Sequence, residues 1–242
     1  MHIARLIKRV LIFITVITLV GYLVLQWAYR ENTVTQSIEV TIKVATAEGI
    51  AQMSEVWSLE VTLVSGALAF PDVAGKKLTL HGEALLVADG SGALLVKYRS
   101  PSALLRALYF AFPDGPRTIN SSRDLTDWAA KIASAVAPVG APRNAWPKVY
   151  WMKSIDEPAS IRELEGASSD DKRGAPKLVS VEFFPASAAP EIGDLRRKLP
   201  FFESYQSDGR RFDGKVLEIN DYRGPLAGRL RPSHFVWELK EW

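Results

Sequence analysis

Acid-base and metal chemistry near neutral pH runs most often through histidine, and this chain of 242 residues has three: His2, His81 and His234. His2 precedes a long apolar run, His81 sits beside Gly82 and Glu83 in a predicted strand, and His234 lies near the C-terminus. No pair of possible ligands shows the i, i+4 spacing of a metal-binding helix or the i, i+2 spacing of a strand, so no metal site is expected. Serine hydrolysis needs a Gly-x-Ser-x-Gly elbow between a strand and a helix. The nearest stretch, Asp89-Gly90-Ser91-Gly92, reads as the turn of a hairpin. It opens no helix, so its glycines are no phosphate loop either. The carboxylate pairs read structurally, Asp170 with Asp171 as an exposed loop and Asp124 with Asp127 as the negative first turn of a helix.

There are no cysteines. That removes disulfides, thiolate-bound zinc, iron–sulfur clusters, thiol catalysis and a lipoprotein-type acylated cysteine. No catalytic residue, metal ligand or cofactor is expected, and the chain reads as a non-enzyme. A membrane-tethered envelope hydrolase built on His81 or His234 and a module for lipids or small ligands stand as alternatives.

Aromatic residues carry the one positive hint of contact, since they are enriched at interfaces. Trp57, Trp128 and Trp237 fall on apolar faces and read as core, whereas Trp146, Trp151 and Trp242 are less constrained. The stretch Arg196-Arg197-Lys198-Leu199-Pro200-Phe201-Phe202 sets three cations before two rings. Trp146, Trp151, Arg196, Arg197, Lys198, Phe201 and Phe202 are therefore the candidate contact surface.

Charge narrows the partner. The formal net charge is +3, and Arg5, Lys8 and Arg9 account for it. The rest holds 27 basic and 27 acidic residues, with 10 basic against 7 acidic between positions 196 and 242. Nucleic-acid binding needs a concentrated basic surface and is not expected.

Residues 10–29 carry no charge. At ~1.5 Å per residue a helix of about 20 residues spans the ~30 Å hydrocarbon layer of a bilayer. The cationic N-terminal flank and Trp27 and Tyr29 at the far end predict a retained signal-anchor with residues 1–9 in the cytoplasm. The run exceeds a signal-peptide core, and no cleavage site follows promptly. The expected location is a bacterial inner membrane, with the bulk of the chain periplasmic.

The elements that must position any site follow in order. Ile38, Val40, Ile42 and Val44 alternate with polar residues, and so do Trp57, Leu59, Val61 and Leu63. This period of two predicts paired strands with a longer loop near Glu48-Gly49. Leu78–Val87 and Leu94–Tyr98 read as a second hairpin. Pro101 opens a helix over 102–112, and Ser121 with Asp124 resembles a capping box for a second, whose apolar face runs Leu125, Trp128, Ile132, Ala135, Val136. Trp146–Met152 reads as a strand, Glu157–Glu165 as a short helix, 167–176 as a loop and Leu178–Phe184 as a strand. Phe235, Trp237 and Leu239 alternate at the end.

In order, these segments resemble a loose set of proteobacterial envelope proteins of unknown function. The matching stretches are Ile42-Lys43-Val44-Ala45-Thr46-Ala47-Glu48-Gly49, His81-Gly82-Glu83-Ala84-Leu85-Leu86-Val87-Ala88-Asp89, and Ile192 through Pro200-Phe201-Phe202. The likeness covers about residues 35–202. It lacks their acylated cysteine, adds some forty C-terminal residues, and implies an envelope setting without an activity.

Strands, then helices, then strands predict an α+β fold: one transmembrane helix, then a mostly antiparallel sheet with two or three helices packed on it. The expected organisation is an anchor at 10–29, a periplasmic domain at 30–202 and an extension packed on it at 203–242. The expected function is a non-enzymatic binding or accessory module of an envelope complex. Its partners would be the bilayer through residues 10–29 and a membrane or periplasmic protein.

Overall fold

The computed structural model describes residues 13–22, 30–65, 75–89, 92–164, 176–216 and 225–241. Helix α1 covers residues 13–22. Strands β1 (Arg30–Thr46), β2 (Gly49–Ser65), β3 (Gly75–Glu83), β4 (Leu85–Asp89) and β5 (Gly92–Lys97) follow. Helices α2 (Pro101–Ala111) and α3 (Ser122–Ala133) come next, then β6 (Val139–Gly140), β7 (Lys148–Met152), β8 (Arg162–Leu164) and β9 (Lys177–Pro185). The chain continues through α4 (Asp194–Lys198) and α5 (Phe202–Ser207) to β10 (Val236–Glu241).

The α+β class is as predicted, but the membrane anchor is not. Among the described residues no helix is long and apolar enough to cross a membrane. The ten described residues of α1 make a rod of about 15 Å, half the hydrocarbon thickness. The expected span at 10–29 is corrected accordingly, and with it the reading of the chain as a single-pass, signal-anchored membrane protein. Residues 10–12 and 23–29 of that run lie outside the described residues.

The hairpin of β1 and β2 is the spine of the fold. Its strands have 17 residues each and pair along their whole length, from Arg30↔Ser65 to Thr46↔Gly49. At ~3.4 Å per residue it is about 55 Å long. The turn is Ala47-Glu48 alone, tighter than the predicted loop, because pairing continues through Ile42↔Met53 and Val44↔Ala51 to the last residue. Gly49, with φ +130°, allows the chain to reverse there. Ile38, Val40, Ile42 and Val44 are fully buried on one face.

Neighbouring strands take different halves of the spine. On one side β9 pairs with Ile38–Ala45 of β1, while on the other β3 pairs with Ser58–Val64 of β2. With β10 outside β3 and β6 outside β9, the sheet order is β10-β3-β2-β1-β9-β6, all antiparallel. The C-terminal residues thus supply a strand of the main sheet.

The run Leu78–Val87, predicted as one strand, is two strands in two sheets. At Gly82 (φ +144°) a Cβ would stand 2.7 Å from the Trp57 ring, so the Trp57 indole packs against bare backbone. Trp57 Nε1 donates to the Glu83 carbonyl at 2.7 Å, and Ala84 N donates to Phe235 O at 2.8 Å. These bonds turn the chain out of the first sheet, and Leu85 begins a second one ordered β4-β5-β7-β8. Every residue of β5 is buried, as expected of a strand covered on both faces. Tyr98 joins the layers, edge-on to Trp57 at 5.8 Å, 6.4 Å from the Phe183 ring and donating to Ala145 O at 3.0 Å.

Helix starts follow the sequence. Ser100 Oγ accepts from Ala103 N ahead of Pro101. Ser121 Oγ accepts from Asp124 N at 3.1 Å, and Asp124 Oδ2 accepts in return from Asn120 N at 3.0 Å. The Asn120 amide and the Ser121 hydroxyl hold the Asp124 carboxyl below its ordinary range. Leu125, Trp128 and Ile132 are buried, but α3 ends at Ala133 and Val136 is 96 % exposed, outside the stripe predicted for it. Of the helix predicted over Glu157–Glu165, the described residues 157–164 form a single 3-10 turn, Pro158–Ser160, leading into β8, and Glu165 lies outside the described residues.

Candidate functional site

The expected contact residues separate by burial. Arg196, Arg197 and Lys198 are exposed on α4, where Arg197 and Lys198 both bridge to Asp194 at 2.5 Å. Phe201 is half-buried, packed on Tyr205 (5.2 Å) and Phe212 (5.3 Å), while Phe202 is fully buried. Trp146 is half-buried, donates to Ala141 O at 2.9 Å and lies under the Arg143 guanidinium. Trp151 is buried beneath Arg162, 4.6 Å from its ring. Only the three cations and parts of Trp146 and Phe201 therefore face solvent. The side chain of Trp237, and Trp242 entirely, lie outside the described part.

His81 and His234 lie among the described residues, on separate elements. His81 is half-buried on β3, opposite Ser58 and Glu238. His234 Nδ1 accepts from the backbone of Arg231 in its own turn at 3.3 Å. Among the described residues no three histidines or carboxylates are grouped to hold a metal ion.

Three lone charges within apolar strand patterns are more informative. Lys97, at the end of β5, is 7 % exposed, donates to the His234 carbonyl and lies 5.0 Å from the centre of the Phe235 ring. Burial pushes its ammonium down to about 8. Desolvation, reinforced by Lys97 and then Arg231, likewise lowers the His234 imidazole. Because the folded state releases the Lys97 proton before the unfolded chain does, it gains stability as pH rises from about 8 to about 10.5. Relative to Lys97→Met, the wild-type protein is expected to gain up to about 3 kcal/mol across that window, at 1.36 kcal/mol per pKa unit. Urea melts at stepped pH check this, and parallel curves for the two proteins would contradict it.

Glu83 ends β3 with its side chain only 2 % exposed. Oε1 accepts from Gly193 N at 2.7 Å and Oε2 from Leu195 N at 3.1 Å. A buried carboxylate thus holds the start of α4 in the notch where β3 leaves the sheet.

The third charge, Glu55, stands opposite Val40 and so shares the core face of the hairpin with Ile38 and Trp57. From the end of β9, where Ala186 N donates to Ser37 O at 3.0 Å, residues 186–193 cross the hairpin to reach α4. Beneath this crossing lies a cleft of about 300 Å³ lined by Glu39, Ser54, Glu55, Glu191 and Asp194. Burial raises the Glu55 carboxyl above its ordinary value, and Asp194, Glu83 and Glu191 add to this against the opposing Lys198.

Beside the cleft the main sheet has an open edge. β3 meets β2 only from Ser58 onward, and among the described residues no strand pairs with the outer side of Gly49–Trp57. The 191–198 segment and the cleft close on its 55–57 end, so the free stretch is Gly49-Ile50-Ala51-Gln52-Met53-Ser54. Sequence reasoning passed over this edge because it results from which strands pair, although Glu55, Glu83 and Lys97 each interrupt a legible apolar pattern.

The chain matches no family model, no curated protein and no solved structure. What it does has to be read from these residues.

Proposed function

We propose that this chain is a non-enzymatic binding module that takes an extended segment of a partner protein as an added strand along Gly49–Ser54 of β2. The observation that carries this reading is the character of that edge. Natural edge strands are blunted by lysine, proline, bulges or covering elements. These six residues contain no charge and no proline, pair with β1 without a register shift, and present Ile50 at 70 % exposure. Alternate residues of an edge strand turn N–H and C=O outward, and an extended peptide can satisfy them while its side chains take the flanking surface.

Amide hydrogen exchange tests this on the full chain. Synthetic peptides of about eight residues with alternating threonine and valine are expected to slow exchange at Gly49–Ser54 by about tenfold or more on binding. Unchanged exchange at those amides with every such peptide would overturn the reading.

A further inference from the structure

Resting on that reading, we propose that the segment taken by β2 is basic, and that an arginine or lysine at its end, just past the residue paired with Ser54, enters the cleft of Glu39, Glu55, Glu191 and Asp194. The cleft is contiguous with the free edge, because Ser54 belongs to both. A strand laid along Gly49–Ser54 reaches the cleft mouth with its terminal residue.

Charge selects the occupant. Of the four carboxylates, Asp194 is already bridged by Arg197 and Lys198. Among the described residues no ion pair reaches Glu39, Glu55 or Glu191, and the cation acting on Glu55 is the same Lys198. The cleft therefore carries a surplus of negative charge facing the edge, and Glu48 adds another at its far end. Glu55 sits half-withdrawn from water on the core face, where an arriving cation interacts more strongly than it would at an open surface.

The same charges argue against a second copy as the occupant. Two β2 edges paired antiparallel about Gln52 would set Gly49 of one copy opposite Glu55 of the other and Glu48 opposite Val56, so a second copy brings an acid and no cation to the cleft mouth. A basic segment supplies that cation.

The test uses three peptides of about eight residues with the same threonine-valine core and with arginine, glutamine or glutamate at both ends, so that either strand direction sets one of them past Ser54. Binding is read by titration and by exchange protection at Gly49–Ser54. The arginine peptide is expected to bind about tenfold more tightly than the glutamine peptide at low salt, with the gap narrowing at high salt. The glutamate peptide should bind most weakly. Glu55→Gln, and separately Glu191→Gln, should shrink the arginine preference and leave binding of the glutamine peptide unchanged. Equal binding of the arginine and glutamine peptides, with Gly49–Ser54 protected, would remove the basic partner and leave strand addition standing. No protection with any peptide would remove both. A dimer in solution that exchanges slowly at Gly49–Ser54 without peptide would replace the basic segment with a second copy.

Discussion

Glu83→Ala is expected to destabilise the domain by about 3 kcal/mol. The carboxylate is almost fully buried and accepts from two backbone amides, Gly193 N and Leu195 N. Hydrogen bonds to a charged group contribute about 1.5–3 kcal/mol each, and deleting the acceptor strands both donors where water is scarce. Without that anchor α4 loses its seat, and Leu195 and Leu199, both buried, lose their cover. Some compensation comes from relieved repulsion, since Glu83 raises the Glu55 carboxyl. Glu83→Gln separates the two contributions. It keeps one acceptor oxygen and removes the charge, so it should recover about half of the loss. Urea midpoints of the three proteins decide the matter, and a wild-type midpoint for Glu83→Ala would refute the anchoring role.

Gly92→Ala should cost at least as much, about 3–4 kcal/mol, for a different reason. Gly92 has φ +146°, and a Cβ there would stand 2.2 Å from Met152 O and 3.1 Å from Lys153 O. Both are backbone atoms of the neighbouring strand and the turn after it, which cannot swing aside as a side chain would. Strain at such a φ alone contributes about 1–3 kcal/mol, and overpacking adds about as much again. Gly49→Ala is the control. Its φ is +130°, but nothing lies within 4 Å of the added methyl, so it should show only the strain. Equal losses for the two variants would show that crowding by β7 contributes nothing.

Much of this architecture was legible where one residue pattern decides one element. The alternation of Ile38, Val40, Ile42 and Val44 specified a buried face, and Ser100-Pro101 and Ser121 marked helix starts because capping is a local matter. Failures came where a distant residue decides. Nothing near Gly82 announces that the Trp57 ring will lie on it and turn the strand away. Pro158 can open a helix, yet the chain after it is taken by pairing with β7. The run at 10–29 has the length, the cationic flank and the terminal aromatics of a span, but the described helix over 13–22 does not reach the length that crossing needs. The free edge of β2 was invisible for the same topological reason: alternation shows which side chains point inward, never which strand will lie alongside. Glu55 was nevertheless on view, as the single charge in the alternating series Ala51, Met53, Glu55, Trp57, Leu59.

The crossover at Ala84 also bears on how the molecule comes apart. Only this residue separates β3 from β4, and its amide is fastened to Phe235 while the carbonyl before it holds the Trp57 indole. With no slack between the sheets, neither can melt while the other keeps its register, since losing β4 pulls directly on the rung that seats β10. The domain is therefore built to lose both sheets in one transition, as a single cooperative unit.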